Sequence, residues 1–302
     1  MREKTAAIVV NYNDSETTLA QLRRIRDYAA LDAVIVVDNA STDHSLEALR
    51  AEAGGKVVVL AAEKNGGYGA GNNLGIRYAA ARGYTYALIA NPDAEFTEDC
   101  LRSLIRALEK NPGLAVIAPV QINPSKAPGA ERPGSRANVL SGAAAFPLRG
   151  WFADLLEAGP VARRLFTPLL HYPERHYRAK LARVDCVPGS LLMVDIACFL
   201  RAGGYDERVF LYEEEYILGQ RLRKIGAKTA LLTSAHYVHR HAASIGKSYR
   251  RALDRQKLRE NAMRFYFRHY LGCKRPALLF AELWFALIRL EIFLRSEERR
   301  VG

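Results

Sequence analysis

Four short apolar runs constrain this chain most: TAAIVVN at 5–11, AVIVVD at 33–38, KVVVL at 56–60 and the apolar half of YTYALIANPDAEF at 84–96. Runs of five to seven residues, rich in Val, Ile and Ala and closed by polar turns, suit buried strands better than helices. Amphipathic segments fill the gaps. One is opened by Ser15 and carries Leu19, Leu22 and Ile25, the next carries Leu46 and Leu49, and a third runs through Ala81. A fourth helix is expected at about 97–109, followed by a strand over LAVIAP. Strands and helices alternating at this interval imply right-handed crossovers, and hence an α/β fold: a mixed, mainly parallel sheet with helices on both faces.

Each strand then delivers a polar cluster to one rim of the sheet: Asn11 and Asn13, then Asp38, then Asn65 to Asn73, then Asp93 with Glu95. Open α/β sheets bind ligands outside the carboxyl ends of their strands, so acids there are candidates for holding a metal and, through it, a phosphate. Asn91-Pro92-Asp93 also suits a plain turn leading into the helix near Thr97. The segment NGGYGAGNNLG does not reproduce G-x-G-x-x-G and follows the third strand, which argues against a dinucleotide-binding dehydrogenase. Its small residues would let backbone amides approach a phosphate, although a loop requiring several positive φ angles would look the same.

With 302 residues, 49% of them hydrophobic, the chain can bury a full core as one large domain or one domain with an appendage. MREKTAAIVV enters a strand without the longer apolar segment of a secretory signal, so a cytoplasmic protein is expected. Cys100, Cys186, Cys198 and Cys273 are far apart and form no C-x-x-C pair, which indicates neither a zinc site nor a disulfide framework. The net charge of +12 is lopsided: residues 250–300 hold 13 Lys and Arg against 6 Asp and Glu. No zinc-finger spacing, RNP-like aromatic motif or basic heptad accompanies that charge, so nucleic acid is not an expected partner.

Residues 120–184 break the pattern, with prolines at 124, 128, 133, 147, 160, 168 and 173 around short amphipathic pieces such as Trp151 to Ala158. They read as an insertion covering one side of the site in a domain spanning 1–248. Residues 249–302 read as a basic, amphipathic helical appendage. Its apolar stretch from Leu278 to Leu294 is interrupted by Glu282, Arg289 and Glu291, which argues against a spanning helix. An interfacial helix on an anionic membrane and a homodimer contact would both bury such a face.

A second block, Val187 to Ser244, contains VPGS, GGYDE, FLYEEEYILGQRLR and HYVHRH. Taken in order with the rim motifs, it resembles inverting family-2 glycosyltransferases of the GT-A fold, the Rossmann-like nucleotide-sugar scaffold, and among them the rhamnosyltransferase-like group. The resemblance covers about 5–118 and 185–270. It implies a divalent metal, Mg2+ or Mn2+, held by Asp93 and His239 with Glu95 nearby. Asn11, Asn13, Asp38, Asn65, Gly66, Gly71, Asn72 and Asp93 are the implied contacts to a dTDP- or UDP-sugar donor. Gly189, Ser190, Asp206 and Glu207 are the implied acceptor side, which would take a glycan or lipid-linked acceptor. The family's Asp-x-Asp stands here as Asn91-Pro92-Asp93, and its Glu-Asp pair as Glu214-Glu215. Glu215 is therefore the expected base, Glu214 the second choice, and Glu213 is expected on a different face.

Breaking a bond to a diphosphate requires stabilisation of the leaving charge, and activating a hydroxyl requires a positioned carboxylate. Acidic residues also favour a helix N-terminus for simple dipole reasons. The sequence-based expectation is metal-dependent, inverting sugar transfer in bacterial surface-glycan synthesis, with rhamnose as the leading donor sugar. A nucleotidyltransferase on the same scaffold and a non-catalytic nucleotide-sugar-binding subunit are the alternatives.

Overall fold

A computed structural model describes residues 3–122, 144–240 and 252–301, with the side chains of the last helix as far as Leu294. The middle of the expected insertion, 123–143, lies outside the described residues. So do 241–251, which hold the end of the second motif block and the start of the expected appendage.

The first strands are β1 (Thr5–Asn11), β2 (Ala33–Asp38), β3 (Val57–Ala61) and β4 (Tyr86–Ala90), joined by helices α1 (Ser15–Ile25), α2 (Ser45–Arg50) and α3 (Gly67–Ala80). All three pairings among these strands are parallel. Alternate residues of a strand face opposite sides, and both sides are covered here. Ile8, Ile35, Val37 and Ile89 enter one core, while Ala7, Val9, Val34, Val36 and Leu88 enter the other. Burial on both faces is why these strands read as continuous apolar runs rather than alternating ones. Each fully buried Val, Ile or Leu stabilises the fold by about 1.5–3 kcal/mol relative to exposure.

The chain continues through the short β5 (Ala94–Glu95), α4 (Glu98–Lys110), β6 (Leu114–Ile122), α5 (Trp151–Ala158), α6 (Pro160–Leu170), β7 (Leu181–Val184), β8 (Leu191–Asp195) and α7 (Ile196–Arg201). Next come α8 (Glu214–Lys224), β9 (Lys228–His239), α9 (Ala252–His269) and α10 (Arg275–Val301). The sheet runs β3-β2-β1-β4-β8-β6-β9-β5, with β7 also paired to β9. β8 lies antiparallel between β4 and β6, so its start is placed beside the end of β4. The Asn91 N–H donates to the Ser190 carbonyl at 2.8 Å and locks these two strand ends together. The rim thus gains a contribution from the second half of the sequence.

α9 and α10 share a third core with the rest of the protein. Met263, Tyr266, Phe267, Ala281, Phe285 and Ile288 pack with Leu155 of α5 and Ile217 of α8. The Gln220 side chain donates to the Tyr266 hydroxyl at 3.0 Å. The C-terminal helices therefore buttress the helix that carries Glu214 and Glu215.

Candidate active site

The first two turns of the rim are built from side chains that satisfy one another. The Asn11 amide donates to Asp38 at 2.9 Å, and the Ser41 hydroxyl donates to the same Asp38 oxygen at 2.6 Å. The other Asp38 oxygen accepts the Ser41 N–H at 3.0 Å. Asn13 bridges to Thr42 in both directions. Asn11 and Asp38 are each 1% exposed, so they brace the turns internally, and the more open Tyr12, Asn13 and Ser41 form their surface.

The glycine-rich stretch is helix rather than the expected loop. α3 starts at Gly67, which has φ +87°, and a Cβ there would collide with the Phe210 carbonyl. That carbonyl accepts the Tyr68 N–H at 3.2 Å. A Cβ on Gly71 would lie 2.8 Å from the Val10 side chain, and one on Gly75 would lie 2.5 Å from Ile8. The absence of side chains lets α3 lie tight on β1, and this packing accounts for these glycines without a phosphate. Asn72 is buried and donates to the Tyr68 carbonyl. The Asn65 Oδ1 accepts from Asn39 and from the Gly67 N–H, closing the turn at Gly66.

At the end of β4, the Asp93 Oδ1 lies 3.1 Å from the His239 Nε2, with the two side chains 11% and 13% exposed. The two-residue β5 creates this meeting, because Ala94 pairs with His239 across the sheet. Glu95 does not join them. Its carboxylate is held by two Arg240 nitrogens at 2.7 and 3.1 Å and by Arg24 at 3.0 Å, which neutralise it and hold it below the ordinary carboxylate range. The expected three-residue metal set therefore reduces to Asp93 and His239. Among the described residues, no three His, Cys, Asp or Glu side chains gather into a metal cage.

Next along the rim is the start of β8. The Gly189 N–H donates to the Glu215 Oε1 at 3.0 Å, and the Gly189 carbonyl accepts the Tyr68 hydroxyl. Ser190 is buried instead, bonded to Tyr237 at 2.5 Å and near Gln121. The Tyr237 hydroxyl is pushed up chiefly by burial, and both Asp93 and Glu215 add to that shift. Both carboxylates therefore lie within electrostatic reach of one buried phenol.

Asp206 and Glu207, expected on the acceptor side, are structural braces. Asp206 accepts from Arg208 and from the Tyr270 hydroxyl at 2.7 Å and pairs with Arg221 at 3.1 Å. Glu207 accepts from Asn73 at 2.9 Å and Arg77 at 2.7 Å, fastening its turn to α3.

The three consecutive glutamates occupy different environments. Glu213 precedes α8 with φ 64°, is 6% exposed and is raised to about 8 by burial, with nearby Asp154 reinforcing the shift against Arg259. Glu214 is raised well above the ordinary value by burial and then by Glu215. Burial also raises Glu215, opposed by the Gly189 N–H. A carboxylate whose proton affinity is raised by burial and that sits at a strand-end rim suits acid–base work.

Among the described residues, the positive-φ positions other than glycine are Asn13, Ala40, Tyr212 and Glu213. All four lie in turns that build this rim or introduce α8. Left-handed backbone at such residues costs about 1–3 kcal/mol each and collects at functional sites. Sequence motifs alone do not display this signal.

Comparison with known proteins agrees with this geometry. Residues 6–153 match the model of glycosyl transferase family 2. The chain is 28% identical over 224 residues to an N-acetylglucosaminyl-diphospho-decaprenol L-rhamnosyltransferase of Mycobacterium tuberculosis, covering 71% of this chain and 68% of the relative. It is 25% identical over 225 residues to the low-salt glycan biosynthesis hexosyltransferase Agl10 of Haloferax volcanii, covering 74% of this chain and 63% of that protein. In fold it is similar to the mannosyltransferase PcManGT of Pyrobaculum calidifontis, solved with GDP-Man and Mn2+, at a TM-score of 0.58 and 18% identity, covering 97% of this chain and 72% of that one. GalNAc-T7, solved with UDP, GalNAc and Mn2+, aligns at a TM-score of 0.58 and 14% identity, covering 89% of this chain and 57% of that one. The chain is a family-2 glycosyltransferase on the GT-A fold, with a rhamnosyltransferase-like sequence.

Proposed function

We propose that this protein transfers a deoxyhexose, rhamnose as the leading candidate, from a nucleoside-diphosphate sugar to a lipid-linked glycan acceptor in cell-surface polysaccharide synthesis. The observation that carries the reading is the Glu215 carboxylate at the Gly189 turn, on the same rim as the Asp93–His239 pair. The M. tuberculosis relative, whose name specifies both a rhamnosyl donor and a polyprenyl-linked acceptor, supports the substrate class. In this reading the protein works at the cytoplasmic face of the membrane that holds its acceptor.

In this reading the nucleoside lies against the turns at 11–14 and 38–42, and its diphosphate reaches towards Asp93. The Asp93–His239 pair fits a divalent ion. Its carboxylate oxygen and imidazole nitrogen, 3.1 Å apart at the rim, are a donor set that would hold such an ion. Ions of the magnesium type need only one or two protein ligands when phosphates complete the shell. A bound divalent cation supplies positive charge to the diphosphate as it leaves. Glu215 takes the proton of the acceptor hydroxyl, which attacks the anomeric carbon from the face opposite the departing diphosphate. The Gly189 N–H fixes the Glu215 carboxylate in place, and burial of Glu214 beside it raises the proton affinity of the pair.

The test is product analysis with a panel of nucleotide sugars and polyprenyl-diphosphate acceptors. Nucleoside diphosphate and a lengthened lipid-linked glycan are expected, most strongly with dTDP-rhamnose. Pyrophosphate release would indicate a nucleotidyltransferase, and binding without turnover a non-catalytic subunit.

A further inference from the structure

α10 carries two apolar stripes, and only one of them is covered by the chain. Ala281, Phe285, Ile288 and Ile292 face the core shared with α5 and α9. Leu279, Leu283, Leu287, Leu290 and Leu294 recur at the same helical spacing on the outside and are 53–69% exposed. A helix apolar on nearly all sides is normally buried on all sides. Here the outer stripe stays more than half exposed.

A second helix extends this face. In α6, Val161, Leu165 and Leu169 repeat every four residues and are 45%, 70% and 82% exposed. α5, which leads directly into α6, packs on α10 through an aromatic junction, where Trp151 and Phe152 each approach Phe280 with ring centroids 6.0 Å apart. Gly159, at the start of α6, lies against Ile288. Two amphipathic segments more than a hundred residues apart in sequence thus adjoin, and each leaves apolar residues exposed.

Charge decides what covers that face. Lys274 and Arg275 are exposed at the start of α10, and Arg164 is exposed on α6. These exposed cations flank apolar residues in a chain of net charge +12, and anionic headgroups complement them. No described helix is long and apolar enough to cross a membrane, and an amphipathic helix flanked by cations suits a bilayer surface.

We propose that α6 and α10 together form a composite docking surface for an anionic phospholipid bilayer, which gives the inserted segment a membrane-facing role. The proposal rests on the lipid-linked-acceptor reading for its purpose, but its test needs no catalysis. Full-length protein is sedimented with vesicles of phosphatidylglycerol and phosphatidylcholine, and with phosphatidylcholine alone. Binding is expected to the anionic vesicles, to fall with salt, and to drop roughly tenfold or more in each of L165Q/L169Q and L283Q/L287Q. These side chains are exposed, so unchanged thermal unfolding checks that both variants fold. Unchanged turnover of a water-soluble acceptor analogue separates docking from transfer. Failure of the parent protein to bind anionic vesicles would overturn the proposal. So would binding that both variants retain, or a stable dimer in light scattering that the same substitutions dissociate.

Discussion

The His239 Nε2 stands 3.1 Å from the Asp93 Oδ1, joining the last residue of a twelve-residue strand to a turn 146 positions earlier. Asp93→Ala is expected to abolish metal-dependent tightening of donor binding while leaving the fold intact, because the side chain sits at a rim and not in a core. Titration calorimetry with and without chelator reads the effect. Equal donor affinity in mutant and parent under both conditions would remove Asp93 from the metal site.

Gly67 is held at φ +87° directly against the Phe210 carbonyl. Gly67→Ala is expected to destabilise the protein by about 2 kcal/mol or more, combining backbone strain with a clash that backbone atoms must absorb. Gly83, at φ +73° with open space around it, isolates the strain contribution. Gly83→Ala is expected to cost only about 1 kcal/mol. Urea midpoints compare the two, and equal losses would show that the Phe210 contact contributes nothing.

The strands and the rim were legible because their causes are local. Val34 to Val37 and Ala87 to Ala90 are short apolar runs stopped by polar turns, and the strands over 33–38 and 86–90 follow them. α3 was harder to read, since glycine disfavours a helix. Its glycines serve contacts with Val10, Ile8 and Tyr205, which lie far away in the sequence. The roles of Asp206 and Glu95 were hidden for the same reason. Arg221 and Tyr270 claim the first, Arg24 and Arg240 the second, and spacing reveals neither. The turn Tyr212-Glu213 carries left-handed strain that appears only in the backbone.

Asp206 ties the turn before α8 to Arg208, Arg221 and Tyr270. Burial pushes its carboxyl up, but the hydrogen bonds from Arg208 and Tyr270 outweigh that and hold it well below the usual range. Its stabilisation is therefore present above the unfolded pKa and is lost as pH falls through the depressed folded value. Asp206→Asn is expected to cost about 3 kcal/mol at neutral pH, with a difference that shrinks in strong acid. Denaturant curves across pH check this, and a pH-independent difference would assign the loss to packing.

Glu213 behaves oppositely, since its folded pKa is raised to about 8. The favourable contribution of its protonated form is present below the unfolded carboxylate pKa and disappears as pH rises through about 8. Glu213→Gln is expected to be about as stable as the parent near pH 5 and more stable by roughly 2 kcal/mol near pH 9. Thermal or denaturant unfolding across that range reads the sign. A gain that is larger in acid would contradict the assignment.

Turnover of Glu215→Gln tests the account most directly. Gln keeps the shape and can still accept the Gly189 N–H through its carbonyl oxygen, but it cannot take the acceptor proton. The account predicts unchanged donor affinity and a kcat lowered by roughly a hundredfold or more, the scale of a lost general base. Normal turnover in Glu215→Gln, with Glu214→Gln inactive at unchanged donor affinity, would contradict it and place the base at Glu214.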